Sequence, residues 1–199
     1  MIDWLEQWQL FAPHFRDGLA RIPVGPHTLL LKPGPGFGDL SHPTTQLMLS
    51  AMAPHVANRR ILDVGCGSGI LTLASLLLGA TSAHGVDIER DALAHARENN
   101  TLNHLHATFS LPTPYVKPDI ALMNMIVSEQ RIARTLAPLQ LTSGILLAQR
   151  DAYLAETATW GWTPLAEFTS GEWLAVLFRT DYDREHDTIS LGDSLPQHP

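Results

Sequence analysis

Arg60 to Gly69, RILDVGCGSG, sets a short apolar run and an acid ahead of glycine at every second position. Ile61, Leu62 and Val64 predict a buried strand, Gly65, Gly67 and Gly69 the turn that leaves it, and residues 70–78 the helix that follows. A strand, a glycine turn and a helix start together let backbone approach a ligand closely. Glycine accepts positive φ and carries no side chain, and the first turn of a helix offers unpaired N–H groups.

Spacing narrows the ligand. A dinucleotide fingerprint needs glycine at the first, third and sixth positions, so that a pyrophosphate sits on the helix start; here the sixth position is Ile70. A nucleotide-hydrolase phosphate loop ends in Gly-Lys before Ser or Thr, and no lysine follows these glycines. The pattern argues against NAD, FAD and nucleoside triphosphates and leaves a ligand with a ribose and little phosphate. His84 to Ile88, HGVDI, predicts a second short strand ending in Asp87. That acid lies roughly twenty residues downstream, where a carboxylate reaches ribose hydroxyls. D-V-G-x-G-x-G with an acid after the next strand resembles the S-adenosylmethionine (SAM) methyltransferases.

The rest of the composition fits a one-domain protein. The chain has 199 residues, 45% of them hydrophobic, and no apolar run long enough to span a bilayer. Residues 1–10 carry acids and tryptophans where a secretory signal carries basic and apolar blocks, so a soluble, cytoplasmic protein is expected. The formal net charge of -7 gives no strong nucleic-acid signal. Cys66, the single cysteine, lies inside the glycine turn and reads as a small residue beside the ligand, not as a nucleophile. The ten histidines match no zinc spacing, and no metal is expected.

Along the chain, Trp4, Leu5, Trp8, Phe11 and Phe15 recur at helical spacing, with Pro13 as a stop. Residues 19–22 and 28–31 predict short strands around a Pro-Gly-Pro turn. The loop 32–37, KPGPGF, leads to Ser41 as a candidate N-cap and a helix from Pro43 to about Ala53. Such a loop either closes over a ligand or is a solvated connector. Further strands are predicted at 107–110, 119–123, 144–148, 162–168 and 173–179. Helices are predicted at 91–102, 126–136 and 152–160, with Glu129, Gln130, Arg131 and Arg134 on the wetter face of the second. The alternation predicts an α/β fold with a mostly parallel, doubly wound sheet and an antiparallel C-terminal hairpin. Three parts are expected: 1–43 as helix, short strands and lid loop; 44–180 as the catalytic domain; and 181–199 as a polar, mobile tail.

With these landmarks placed, the chain resembles one family, the bacterial enzymes that methylate the stalk-base protein of the large ribosomal subunit. GFGDLSHPTT at 36–45 is similar to that family's A-F-G-T-G-T-H-P-T-T. ILDVGCGSGILTLASLLLGA at 61–80, GVDIERDALAHARENNTLN at 85–103 and GEWLAVLFR at 171–179 extend the likeness, and Trp4 to Pro13 resembles the Trp-rich helix that precedes the family's catalytic domain. The resemblance implies a Rossmann-like methyltransferase, SAM as cofactor and a ribosomal protein as substrate; from the composition no membrane partner is expected. It implies cofactor contacts at Thr45, Gly65, Gly67, Asp87 and Asn124, with Asn124 also positioning the acceptor amine. Asp39, Leu40 and Ser41 replace the family's T-G-T, and the likeness starts at the linker helix, without the family's N-terminal recognition domain. Asn124-Met125-Ile126 is closer to the protein-methylating pattern Asn-Ile-Leu than to the Pro-Pro-aromatic pattern of base methylation. Methylation of a small molecule or nucleic acid, and a non-catalytic SAM-binding subunit, stay open as alternatives at this point.

Overall fold

The computed structural model describes residues 3–112, 117–131 and 136–182. The polar tail expected from 181 onward, except for its first two residues, lies outside them, as does Arg134.

Helix α1 (Trp4–Phe11) starts at Asp3, whose carboxylate accepts from the Leu5 and Glu6 N–H groups, and ends before Pro13. A small antiparallel sheet follows, β1 (Phe15–Arg16), β2 (Leu19–Val24) and β3 (His27–Leu31), in the order β1-β2-β3. Phe15 therefore belongs to a strand and not to the end of the first helix. Helix α2 (Pro43–Met52) leads into β4 (Arg60–Val64), α3 (Ile70–Leu77), β5 (Ser82–Val86), α4 (Arg90–Leu102), β6 (Thr108–Ser110) and β7 (Ile120–Asn124). Then come a single turn, α5 (Val127–Gln130), and β8 (Leu139–Leu146), α6 (Arg150–Thr159), β9 (Thr163–Ser170) and β10 (Trp173–Arg179).

Among the described residues the main sheet has seven strands, in the order β6-β5-β4-β7-β8-β10-β9. β6, β5, β4, β7 and β8 run parallel, and β10 pairs antiparallel with both β8 and β9. The α/β class, the doubly wound order and the closing hairpin agree with the sequence. Side chains alternate between two cores, one on each face. Ile61, Ile120, Leu122, Ala175 and Leu177 face α2, α3 and the small sheet; Leu62, Ala121, Met123, Leu174, Val176 and Phe178 face Tyr153 of α6 and Trp162. The period of two places one residue on each face at every step, so a strand buried on both sides reads as one continuous apolar run.

Two elements differ from expectation. β8 starts at Leu139, five residues before Gly144, because Gln140, Thr142 and Ser143 are fully buried and hydrogen-bonded inside the sheet and not in a loop. The helix expected at 126–136 is described only as the turn α5, residues 132–135 being outside the described set.

Candidate functional site

The glycine turn, Asp87 and Asn124 come together through strand register. Val64 pairs with Val86 on one side and with Met123 on the other, so Gly65, Asp87 and the strand end Asn124 stand side by side at the carboxyl edge of β4, β5 and β7. With neighbouring strands about 4.8 Å apart, the three positions span roughly 10 Å, the width of a nucleoside. The edge of a doubly wound sheet where strand order reverses, here on either side of β4, is where such folds leave a crevice.

Asp87 is fixed by backbone donors. Its Oδ2 accepts from the Gly67 N–H at 2.9 Å and its Oδ1 from the Glu89 N–H at 3.0 Å. Two bonds leave a carboxylate with acceptor capacity to spare. Gly65 and Cys66 both donate to the Val86 carbonyl, tying the turn to β5.

Gly67 has a second, steric reason to be glycine. A Cβ there would lie 2.5 Å from the Phe37 carbonyl oxygen, and φ is +53°. The proline-glycine loop lies directly on the turn: Ser68 N–H donates to Phe37 O at 2.8 Å and Ser68 Oγ to Gly38 O at 2.9 Å. The loop is thus a cover packed on the turn and hydrogen-bonded to it.

The cover continues into α2. Leu40, where the resembling family has glycine, adopts φ +69° and is 6% exposed. Asp39 accepts from Ser41 N–H and Ser41 Oγ, and Gln46 Nε2 donates to Leu40 O at 3.1 Å. These bonds and the burial of Leu40 hold a backbone conformation that a leucine adopts only under constraint. His42, not Ser41, is the N-cap: its ring Nδ1 accepts from Thr44 N–H while Ser41 is engaged with Asp39. His42 also stacks edge-on against Trp173 of β10, with ring centroids 4.9 Å apart. Thr45, in the first turn of α2, is fully buried, and among the described residues its hydroxyl has no hydrogen-bond partner.

A polar ladder on α4 escaped the sequence reading. His95, Asn99 and Asn103 are spaced four apart on one face. His95 Nδ1 accepts from Gly36 N–H at 3.1 Å while Nε2 faces Lys32 O at 2.7 Å. Asn99 accepts from Lys32 N–H and donates to Ser68 O, and Asn103 exchanges two bonds with Leu30. The ladder holds β3 and the cover loop against the main sheet. The i, i+4, i+8 spacing was the available signal.

Burial displaces the two titratable groups that flank the start of the glycine turn, Asp63 and Cys66. Asp63 is entirely buried and its carboxyl is pushed up to about 7 by desolvation, with the Asp87 charge adding to the shift and the Thr72 hydroxyl bond at 2.5 Å opposing it. Burial pushes the Cys66 thiol well up, helped by the charges of Asp63 and Asp87, which leaves it no nucleophile. Asn124 is half-buried, and among the described residues its side chain makes no hydrogen bond.

Known proteins resemble this chain in sequence and fold. Residues 20–181 match the family model of the ribosomal protein L11 methyltransferase (PrmA). The chain is 37% identical to the ribosomal protein L11 methyltransferase of Chromobacterium violaceum over 69% of its own length and 53% of that protein's. It is 34% identical to the Geobacter sulfurreducens protein of the same name, over 87% and 58%. It thus spans about half the length of the curated relatives it matches. Among solved structures, the ribosomal protein L11 methylase of Lactobacillus delbrueckii subsp. bulgaricus superposes with a TM-score of 0.66 at 26% identity, covering 75% of this chain and 84% of that one. The match takes in the cover loop, the glycine turn and the closing hairpin alike, and the chain belongs to the ribosomal protein L11 methyltransferase family.

Proposed function

We propose that this chain carries out SAM-dependent N-methylation of a protein amine, with a ribosomal protein as the substrate. The observation that carries the reading is the register that sets Gly65, Asp87 and Asn124 abreast at one sheet edge, with Asp87 locked by the Gly67 amide.

The residues fit an adenosyl sulfonium compound. Asp87 has acceptor capacity left for a ribose diol, the turn at Gly65 is exposed next to it, and the buried Thr45 hydroxyl has no hydrogen-bond partner among the described residues. When bound, SAM supplies a methyl group already activated by its sulfonium sulfur. The chain therefore has no leaving group to activate. Its task is to hold an amine in line and unprotonated, and proximity accounts for most of the acceleration. A lysine amine has an ordinary pKa near about 10.4, so the crevice must favour the neutral form by desolvation. Asn124 Oδ1 accepts from an amine N–H and leaves the nitrogen lone pair pointing at the methyl. It positions the amine and takes up no proton. Half-buried Met125 beside it supplies an apolar wall.

A subunit without turnover drew its support from the altered cover, Asp39-Leu40-Ser41. The cover is nonetheless seated on Ser68 with its hydrogen bonds made, which favours the catalytic reading.

The test is transfer of label from methyl-labelled SAM to ribosomal proteins of the large subunit, with calorimetric titration of SAM alongside. A labelled ribosomal protein band supports the reading. Label confined to small molecules or to RNA overturns the acceptor, and absence of SAM binding overturns the whole.

A further inference from the structure

Gln130 has the pattern of a surface residue, yet it is fully buried. Its side-chain amide uses both N–H donors and accepts one bond at its oxygen. Nε2 donates to Met125 O at 2.7 Å and to Ser143 O at 3.0 Å, and Oε1 accepts from the Tyr153 hydroxyl at 2.6 Å. Tyr153 is held in turn by Thr142 Oγ1 at 2.8 Å, and Ser143 Oγ donates to Leu174 O at 3.1 Å.

The two carbonyls it clamps are not arbitrary. Met125 is the residue after Asn124 in the chain, and Ser143 is the residue opposite Asn124 in the β7–β8 pairing. The amide thus joins the backbone on both sides of Asn124. Gly144 completes the fit: a Cβ there would stand 2.4 Å from Met125 O, so only glycine lets that carbonyl approach β8. Tyr153 fixes which end of the amide faces the carbonyls, since its hydroxyl donates to Oε1 and leaves both N–H groups for Met125 and Ser143. A fully satisfied buried network of this kind defines one geometry, where an apolar side chain of equal volume fills space without choosing among orientations.

We propose that Gln130 is a positioning residue, oriented by Tyr153, that sets the Asn124 side chain in the crevice. The proposal rests on the reading of Asn124 as the group that meets cofactor and amine. Tolerances of about 0.5 Å at such a site make the clamp consequential.

The test uses the full chain with three single variants, Gln130→Met, Tyr153→Phe and Asn124→Ala, and the double variant Asn124→Ala/Gln130→Met. In ligand-free protein, the Asn124 side-chain NH2 resonances, assigned by their loss in Asn124→Ala, are expected to shift and broaden in Gln130→Met, and to shift less in Tyr153→Phe, which keeps both clamping donors. By calorimetry, Gln130→Met is expected to weaken SAM about tenfold, and the double variant Asn124→Ala/Gln130→Met to bind no more weakly than Asn124→Ala alone. Under steady-state assay the loss is expected in kcat more than in the KM for the protein substrate. Unmoved Asn124 resonances, or losses in affinity that add in the double variant, overturn the proposal. Should Gln130→Met fail to fold, Tyr153→Phe decides by the same readings. If wild-type protein binds no SAM, the methyltransferase reading falls while the Asn124 resonances still judge the clamp.

Discussion

The Gly67 amide and the Asp87 carboxylate meet at 2.9 Å, joining the middle of the glycine turn to the end of the next strand twenty residues later. The bond explains why the two features occur together. The turn supplies the donor that aims the carboxylate, and the carboxylate satisfies the Gly67 amide.

Removing that acceptor should therefore cost ligand affinity twice over. Asp87→Ala leaves the Gly67 and Glu89 N–H groups without their partner and, on the proposed function, removes the acceptor offered to the ribose. Hydrogen bonds to charged groups contribute about 1.5–3 kcal/mol, so SAM should bind about 10- to 100-fold more weakly by calorimetry. Asp87→Asn, which keeps one acceptor oxygen, should lose less. Equal affinity for wild type and Asp87→Ala removes the ribose argument.

Asp63 makes stability depend on pH. Its folded pKa, about 7, lies above the ordinary carboxylate value of 3.8 because the buried site disfavours charge. The folded state therefore binds more protons than the unfolded chain between about pH 4 and 7. The contribution is complete below about pH 4, declines as pH rises through that window and is gone above it. Denaturation of Asp63→Asn, which still accepts from Thr72, should show this slope flattened, with a difference on the order of a few kcal/mol across the window. Parallel curves for the two proteins contradict the prediction.

Leu40 should reverse the usual ranking of alanine and glycine. Leu40→Ala loses the buried side chain and keeps the strained φ of +69°, whereas Leu40→Gly loses the same burial and relieves the strain. Leu40→Gly should be the more stable of the two by about 1 kcal/mol in urea denaturation. A less stable Leu40→Gly means that the loop does not hold this conformation in solution.

His95 ties the cover to α4 through a neutral ring. Burial lowers its pKa, with the Lys32 charge acting in the same direction and the Lys32 carbonyl and Glu98 opposing. Because the folded value is depressed below 6.5, the contribution is fully present above that pH and is lost as pH falls through the folded pKa, when Nδ1 takes a proton and can no longer accept from Gly36. His95→Gln should be less stable than wild type by about 1–3 kcal/mol at neutral pH, with the gap narrowing in acid. A gap that widens in acid contradicts the assignment.

The strands around the glycine turn were legible because their signals are local. A buried parallel strand is an apolar run and a tight turn needs glycine, so β4, α3, β5 and the position of Asp87 follow from neighbours in the chain. The polar interior was not legible. Gln130, Gln140, Thr142 and Ser143 have the composition of a loop or a wet helix face and are buried because partners from α6, β7 and β10 satisfy them. The same holds for Leu40, whose backbone takes a glycine conformation on account of the Asp39, Ser41 and Gln46 bonds around it.

The sequence by itself determined the α/β order, the glycine turn, the acid at Asp87 and the family likeness, since each rests on residues a few positions apart. Only the tertiary structure decided that the cover loop lies on Gly67, that an α4 ladder holds it there and that Gln130 clamps the backbone beside Asn124. Those contacts join residues brought near by strand register, and the burial of a polar group depends on whether a distant partner completes its hydrogen bonds.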